Sequence, residues 1–197
     1  GKLGMLPKVL NNFFGNDITR MITKGKSGLL NNNIPSFLRK GITQSLYNSF
    51  ILAVGNIYSD RLDEYALSKN QDPDIYFIEN VLLKKITPKI FISLNNGDLF
   101  NIFSENTKLS NEKYIDFRNW YLEKSELLDD MFLKKIKSSS YKNFNNLQKL
   151  SFEEKKIVQH IFNIYNSYNN FINYMYSESI KDETFLLDLI SRKGLVF

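Results

Sequence analysis

The chain has 197 residues but no cysteine, a single histidine (His160) and only one tryptophan. Without cysteine, neither a disulfide framework nor a thiolate metal site can form. One histidine, with no ligand partner spaced around it, also argues against a catalytic triad or a histidine-rich metal site. No run approaches the roughly 20 apolar residues that cross a bilayer, because polar residues interrupt the longest candidate, residues 46–58. We therefore predict no metal, no cofactor and no membrane partner.

What is present is the composition of an ordinary globular domain. Hydrophobic residues make up 43% and charged residues 24% of the chain, which is enough apolar material for a packed core. The length suits one domain, and we predict a single helical domain over residues 1–197. The chain begins with Gly1 rather than methionine, and we interpret it as an internal fragment of a longer polypeptide.

The positive charge is concentrated at one end. Residues 1–45 hold seven lysines and arginines against Asp17 alone, a formal charge of +6, whereas the whole chain carries +5. Residues 46–197 therefore sum to −1. A basic end on a near-neutral body indicates an anionic partner, and a solvated surface is the alternative interpretation.

Helix signals dominate, and we predict a mainly α fold of about seven to nine helices. Leu6-Pro7 opens a short apolar helix that Gly15 stops, and Asp72-Pro73 starts another. Ser151 with Glu154 is a capping box ahead of the longest helix. We expect one apolar stripe along that helix, formed by Ile157, Ile161, Tyr165, Tyr168, Ile172 and Met175.

Residues 90–103 are ambiguous. Asn95-Asn96-Gly97 lies between two apolar runs, a pattern typical of a β-hairpin. The preceding Thr87-Pro88 is instead a helix start signal. We favour helix, turn, helix and keep a short hairpin as the alternative. Residues 134–149 are basic and rich in serine and asparagine, which predicts a mobile internal linker.

Gly25-Lys26-Ser27 matches the end of the phosphate-binding pattern G-x-x-x-x-G-K-[ST]. The first glycine of that pattern would fall at Arg20, and Gly28 stands where a helix should begin. The preceding residues also do not form a β-strand pattern. We therefore reject a nucleotide site and interpret residues 16–33 as a loop. Either it is a flexible basic loop, or Arg20, Lys24 and Lys26 contact phosphates of a nucleic-acid backbone.

A second basic element lies at Phe37–Gly41, where Arg39 and Lys40 follow an apolar anchor. One interpretation is a helix C-terminus, where cations complement the helix dipole. The other is a contact with nucleic acid or a partner protein. Our candidate nucleic-acid-binding residues are thus Arg20, Lys24, Lys26, Arg39 and Lys40.

Neither the acidic nor the tyrosine clusters require a catalytic interpretation. Acidic residues pair at Asp129-Asp130 and Glu153-Glu154, but no acidic triad supports acid/base or two-metal chemistry. Tyrosines such as Tyr165 and Tyr168 can stack on bases, although their helical spacing favours a core or interface. We predict that the chain is not an enzyme and has no catalytic residues.

Four stretches of the chain carry a family resemblance through their order and spacing. They are KLGMLPKVLNNFFG (2–15), SFLRKGITQSLYNSFILAVGNIYSD (36–60), FISLNNGDLFNIF (91–103) and YNSYNNFINYMYSESIKDETFLLDLIS (165–191). Together they resemble the large subunit of the early transcription factor of large cytoplasmic DNA viruses, a group that includes poxviruses, the African swine fever virus group and giant viruses.

The resemblance implies a role in transcription initiation. The expected partners are double-stranded promoter DNA, a helicase-like small subunit that carries the ATPase activity, and the viral RNA polymerase. The expected locations are the viral factory in the host cytoplasm and the virion. The alternative is a purely protein–protein scaffold domain in a viral multi-subunit assembly, with no DNA contact.

Overall fold

A computed structural model of the protein confirms the mainly α fold. The structure describes residues 3–21, 31, 34, 36–42, 44–59, 61–124, 138 and 141–192. The chain divides into two compact units, residues 1–45 and residues 46–197. The single domain predicted over residues 1–197 stays a prediction, and each unit is described by itself.

The first unit combines two short strands with two short helices. Its elements are β1 (Leu3–Met5), α1 (Lys8–Phe13), α2 (Ile18–Met21) and β2 (Leu38–Lys40). β1 and β2 pair antiparallel, with Gly4 opposite Arg39. The predicted helix after Leu6-Pro7 is confirmed as α1, and Gly15 follows it with a φ of +66°, a conformation that glycine adopts without strain.

Asparagine side chains hold this unit together. Asn11, on α1, is buried and donates to the Leu6 carbonyl at 2.6 Å. Asn16 donates to Asn11 Oδ1 at 2.9 Å, and its amide also pairs with both main-chain groups of Phe37. This network joins the segment after α1 to β2, which replaces part of what a hydrophobic core would do.

The second unit is built around one long helix. Its α-helices are α3 (Ser49–Tyr58), α4 (Leu62–Ser68), α5 (Pro73–Phe77), α6 (Pro88–Phe91), α7 (Asp98–Ile102), α8 (Asn111–Glu123), α9 (Phe152–Tyr176) and α10 (Glu183–Arg192). A π-helix at Ile78–Leu82 continues α5, and 3₁₀ helices occupy Leu94–Gly97 and Phe144–Lys149. The described residues alone contain ten α-helices, one more than the upper bound of the prediction, and the loop predicted over residues 16–33 is wrong at α2.

The predicted capping box at the start of α9 is confirmed, with Ser151 Oγ accepting from the Glu154 amide and Glu154 accepting from the Ser151 amide. The single apolar stripe predicted on α9 is correct only in part: Ile161 and Met175 are buried, but Ile157 is exposed and Val158, outside the stripe, is buried. The first half of the helix packs in a cluster with α8, and the second half packs in a cluster with α3, α5 and α10. The two halves therefore bury different faces.

Polar side chains on α9 bind the carbonyls of the short connections around it. Ser167 donates to Phe100 at 2.7 Å and Asn170 donates to Phe103 at 3.1 Å, in both cases to the main-chain oxygen. The Tyr168 hydroxyl donates to the Ile86 carbonyl at 3.0 Å. These bonds satisfy main-chain carbonyls that short helices and the turns between them leave without partners.

Residues 88–102 form helix, turn, helix, as favoured from the sequence. Thr87 caps α6 through a bond from the Ile90 amide. Asn95 and Asn96 then adopt left-handed conformations, with φ of 48° and 56°, ahead of α7. The hairpin alternative is thus not what the structure shows, because Asn-Gly here reverses two helices instead of two strands.

The 134–149 segment is only partly described. Residues 134–137, 139 and 140 of the predicted linker lie outside the described residues. Phe144–Lys149 forms a 3₁₀ helix, and Leu147 within it is buried against α8 and α9. This end of the segment is packed, although its polar composition predicted a mobile connection.

Candidate nucleic-acid interface

All five candidate cations belong to the first unit. Arg20 lies in α2, and Arg39 and Lys40 lie in β2. Lys24 and Lys26 fall outside the described residues. The structure therefore assigns positions to three of the five candidates.

Arg20 follows the only acidic residue of this unit. Asp17 Oδ1 accepts from the Thr19 amide at 3.0 Å and from the Thr19 hydroxyl at 2.6 Å. These bonds, chiefly the one from the hydroxyl, lower the pKa of Asp17, and the charge of Arg20 adds to the effect. Asp17 thus bonds to Thr19 rather than to the Arg20 side chain, which is exposed.

Gly25-Lys26-Ser27 lies outside the described residues, and Asn31, which follows this segment of the chain, bonds back to α2. Asn31 donates its main-chain N–H to the Met21 carbonyl at 2.8 Å and its side-chain amide to the Arg20 carbonyl at 3.4 Å. The residues that lead into the segment form α2, whereas a phosphate-binding loop follows a strand. This placement agrees with the rejection of a nucleotide site.

β2 separates the two basic residues that are adjacent in sequence. The alternative of a helix C-terminus at Phe37–Gly41 is wrong, because Leu38–Lys40 is a strand paired with β1. Side chains alternate between the two faces of a strand. Arg39 is exposed and Lys40 is half-buried, so the two cations do not form one contact surface.

Arg39 is held close to the main chain of β1. A Cβ atom on Gly4 would lie 2.9 Å from Arg39 Nε and 3.4 Å from Arg39 Cγ. The missing side chain of Gly4 thus leaves room for Arg39 to lie across the strand. Among the described residues, Arg39 has no salt bridge or hydrogen-bond partner for its guanidinium, which can therefore meet an anion from outside.

Three exposed phenylalanines of the same unit were missed by the sequence reasoning. Phe13 is 79% exposed, Phe37 58% and Phe14 45%. The Phe13 and Phe14 ring centroids lie 5.1 Å apart, and those of Phe14 and Phe37 lie 4.8 Å apart. Apolar residues on one helix face ordinarily predict burial, so the sequence carried no signal that α1 turns Asn11 inward and its phenylalanines outward.

Tyr165 and Tyr168 of α9 pack against the core. Tyr165 and Tyr168 are half-buried and both contact the Trp120 ring, at centroid distances of 5.1 and 6.2 Å. Burial is the main cause that raises the pKa of both hydroxyls. His160 is exposed and contacts Phe100 edge-on.

Carboxylate and histidine side chains do not gather into a metal site in the part of the chain that the structure describes. It contains no group of three or more such side chains arranged to hold a metal ion. None of its helices is both long enough and apolar enough to cross a membrane.

Comparisons with protein-family models, curated proteins and solved structures found no match to this chain.

Proposed function

We propose that this chain is a non-enzymatic binding module of a viral early transcription initiation factor, and that it contributes to promoter DNA binding or to recruitment of the viral RNA polymerase. The observation that supports this proposal best is the charge distribution. The first unit carries +6, whereas residues 46–197 carry −1. The transcription context comes from the family resemblance of the four sequence stretches.

Contact with the DNA backbone is the interaction that such a surface favours. Lysines and arginines that approach phosphates release condensed counterions, which makes binding tighter and strongly dependent on salt. Arg39 is the clearest candidate, since it is exposed and has no carboxylate partner among the described residues. Arg20 is exposed in the same unit. These contacts position a protein on DNA without reading bases.

The test is a salt titration of binding to promoter and random duplexes by fluorescence anisotropy. Wild-type protein is compared with a variant that replaces the five candidate cations by alanine. The matched control replaces five exposed lysines of the second unit by alanine and so has the same net charge. Those control positions are Lys69, Lys89, Lys108, Lys113 and Lys149.

We expect the five-cation variant to bind at least about tenfold more weakly and to show a salt slope shallower by about 0.9 for each phosphate that the protein no longer neutralises. The control variant should bind almost as wild type does. If both variants lose the same amount of affinity, net charge alone explains the loss. That result would contradict a specific role for the five candidate cations. No duplex binding by the wild type would contradict the proposed contact with double-stranded promoter DNA.

A protein–protein scaffold without DNA contact is the second candidate. The observation that favours it is the exposed apolar face of α1, which includes Val9 and Leu10, since interfaces are rich in buried apolar and aromatic anchors. Copurification with the helicase-like subunit or the polymerase, combined with absent DNA binding, would select this function over the first.

A further inference from the structure

We propose that Phe13, Phe14 and Phe37, together with Arg39, form a platform that binds an unpaired nucleic-acid strand by stacking its bases on the rings. The proposal deepens the proposed DNA contact and rests on it, because it names single-stranded rather than double-stranded nucleic acid as the ligand of this surface. We call these four residues the aromatic platform.

The rings of the platform form a continuous exposed surface. Phe14 contacts both of the other rings, and all three side chains are exposed to at least 45%. Phenylalanine side chains bury large areas when they serve a core, yet here the buried residue of α1 is Asn11. The apolar face of α1 is therefore left for a ligand.

A cation lies on the same face as one of these rings. Phe37 directly precedes β2 and Arg39 lies in it; both are exposed, whereas Leu38 between them is half-buried. They thus share one face, with their Cα atoms about 7 Å apart along an extended strand. A base on Phe37 would place its phosphate within reach of the Arg39 guanidinium.

Whether the platform fits a duplex or an unpaired strand depends on which of them exposes the flat faces of its bases. In a duplex, neighbouring base pairs cover each other, so rings that project from a surface have nothing to stack on. In an unpaired strand every base exposes a π-face, and proteins bind such strands by combining aromatic stacking with a basic surface. A second copy docked through the same unit is a poor occupant, because residues 1–45 of each copy carry +6.

The experiment measures four fluorescein-labelled probes by anisotropy with the full chain. They are a 15-mer of deoxythymidine, a 15-mer of uridine, a 15-base-pair duplex and a 15-mer of abasic phosphodiester. The abasic strand keeps the charge of DNA but has no bases. Three variants are compared with wild type: Phe13→Ala with Phe37→Ala, Phe37→Tyr, and Gly4→Ala, which pushes Arg39 from its position across β1.

We expect wild type to bind the thymidine strand at least tenfold more tightly than the abasic strand. The double alanine variant should bind the thymidine strand about tenfold or more weakly, since one stacked base contributes about 1–3 kcal/mol, and should change little on the abasic strand or duplex. Phe37→Tyr keeps a ring and should bind within about threefold of wild type. Gly4→Ala should weaken all four probes by a few fold. The uridine strand shows whether the platform distinguishes DNA from RNA.

Three results would overturn the platform. Equal binding of the thymidine and abasic strands, with no effect of the phenylalanine variant, would leave a phosphate contact and no stacking, so the proposed function would survive. Loss of polymerase or small-subunit binding in that variant, with unchanged binding of every probe, would assign the rings to a protein interface. If none of the four probes binds, both the platform and the proposed DNA contact fail. Circular dichroism of each variant checks that the exposed substitutions leave the fold intact.

Discussion

Two tyrosines on α8 provide a direct test of how the packing of this protein controls its stability. Tyr114 and Tyr121 are both buried in the cluster that α8 forms with α9. The Tyr114 hydroxyl donates to the Tyr141 carbonyl at 2.6 Å. The Tyr121 hydroxyl is buried and has no hydrogen-bond partner among the described residues. Replacing each by phenylalanine removes the same atom from two different environments.

The expected effects have opposite signs. Tyr114→Phe removes a buried hydrogen bond and leaves a carbonyl without its donor, at a cost of about 1–2 kcal/mol. Tyr121→Phe removes a hydroxyl that was desolvated without compensation, so the variant should be more stable by about 1 kcal/mol. With a urea m-value of about 2 kcal/mol/M, the unfolding midpoints should move in opposite directions by about 0.5 M or more.

The pH dependence gives a second measurement on the same pair. Burial raises the pKa of Tyr121 well above its usual range, and it also raises that of Tyr114. The unfolded chain then loses these protons near pH 10 while the folded protein keeps them. Stability from these groups is therefore fully present below pH 10 and falls as the pH rises above it. Tyr121→Phe should flatten this alkaline decline.

Urea unfolding followed by fluorescence of Trp120 suits both measurements, because this single tryptophan lies in α8 and contacts Tyr165 at 5.1 Å. The wild type at pH 7 and pH 10.5 serves as the reference. A Tyr121→Phe variant that is destabilised as much as Tyr114→Phe would refute the reasoning, since it would mean that the Tyr121 hydroxyl is satisfied in the folded protein.

Two further substitutions test close packing and a buried charge. Gly55→Ala in α3 should destabilise the protein by about 1–3 kcal/mol in urea unfolding, because the new Cβ would lie 2.7 Å from Leu62 Cδ2 and 3.2 Å from Phe77 Cγ; an unchanged midpoint would show that these side chains can move aside. Lys181 is 2% exposed, and its ammonium donates at 2.6 Å to each of two main-chain carbonyls just beyond α9. Lys181→Met should therefore cost about 1–3 kcal/mol in thermal or urea unfolding, and a neutral result would mean that relief of the buried charge offsets the missing hydrogen bonds.

Local signals predicted the helix boundaries of the second unit well. Ser110 and Ser151 cap α8 and α9, and Thr87 caps α6. Each of these bonds joins residues three positions apart, so the sequence contains both partners within one window. The face that α9 buries could not be predicted from such local signals, because it depends on which elements pack against each half of the helix. Its buried residues rotate by roughly 120° between the halves at 100° per residue, and no single stripe describes both.

The first unit could not be predicted in the same way because its structure depends on distant partners. β2 becomes a strand by pairing with β1, more than 30 residues earlier in the chain. Phe37 is fixed by the side chain of Asn16, 21 residues away. The sequence showed that the candidate cations lie within the first 45 residues, but it predicted a single domain rather than a separate unit there. It did not predict that Arg39 and Lys40 would point to opposite faces.

The same network explains how the aromatic platform can exist. A helix normally contributes to stability through its apolar face, but α1 is held by Asn11 and Asn16, which bond to each other, to Leu6 and to Phe37 within the unit. Because polar groups on one side of α1 provide the internal contacts, Phe13 on the other side is free to remain in solvent. Phe13 is 79% and Phe37 58% exposed, so replacing both should cost less stability than replacing a buried phenylalanine. We therefore expect the platform variants to report chiefly on ligand contact.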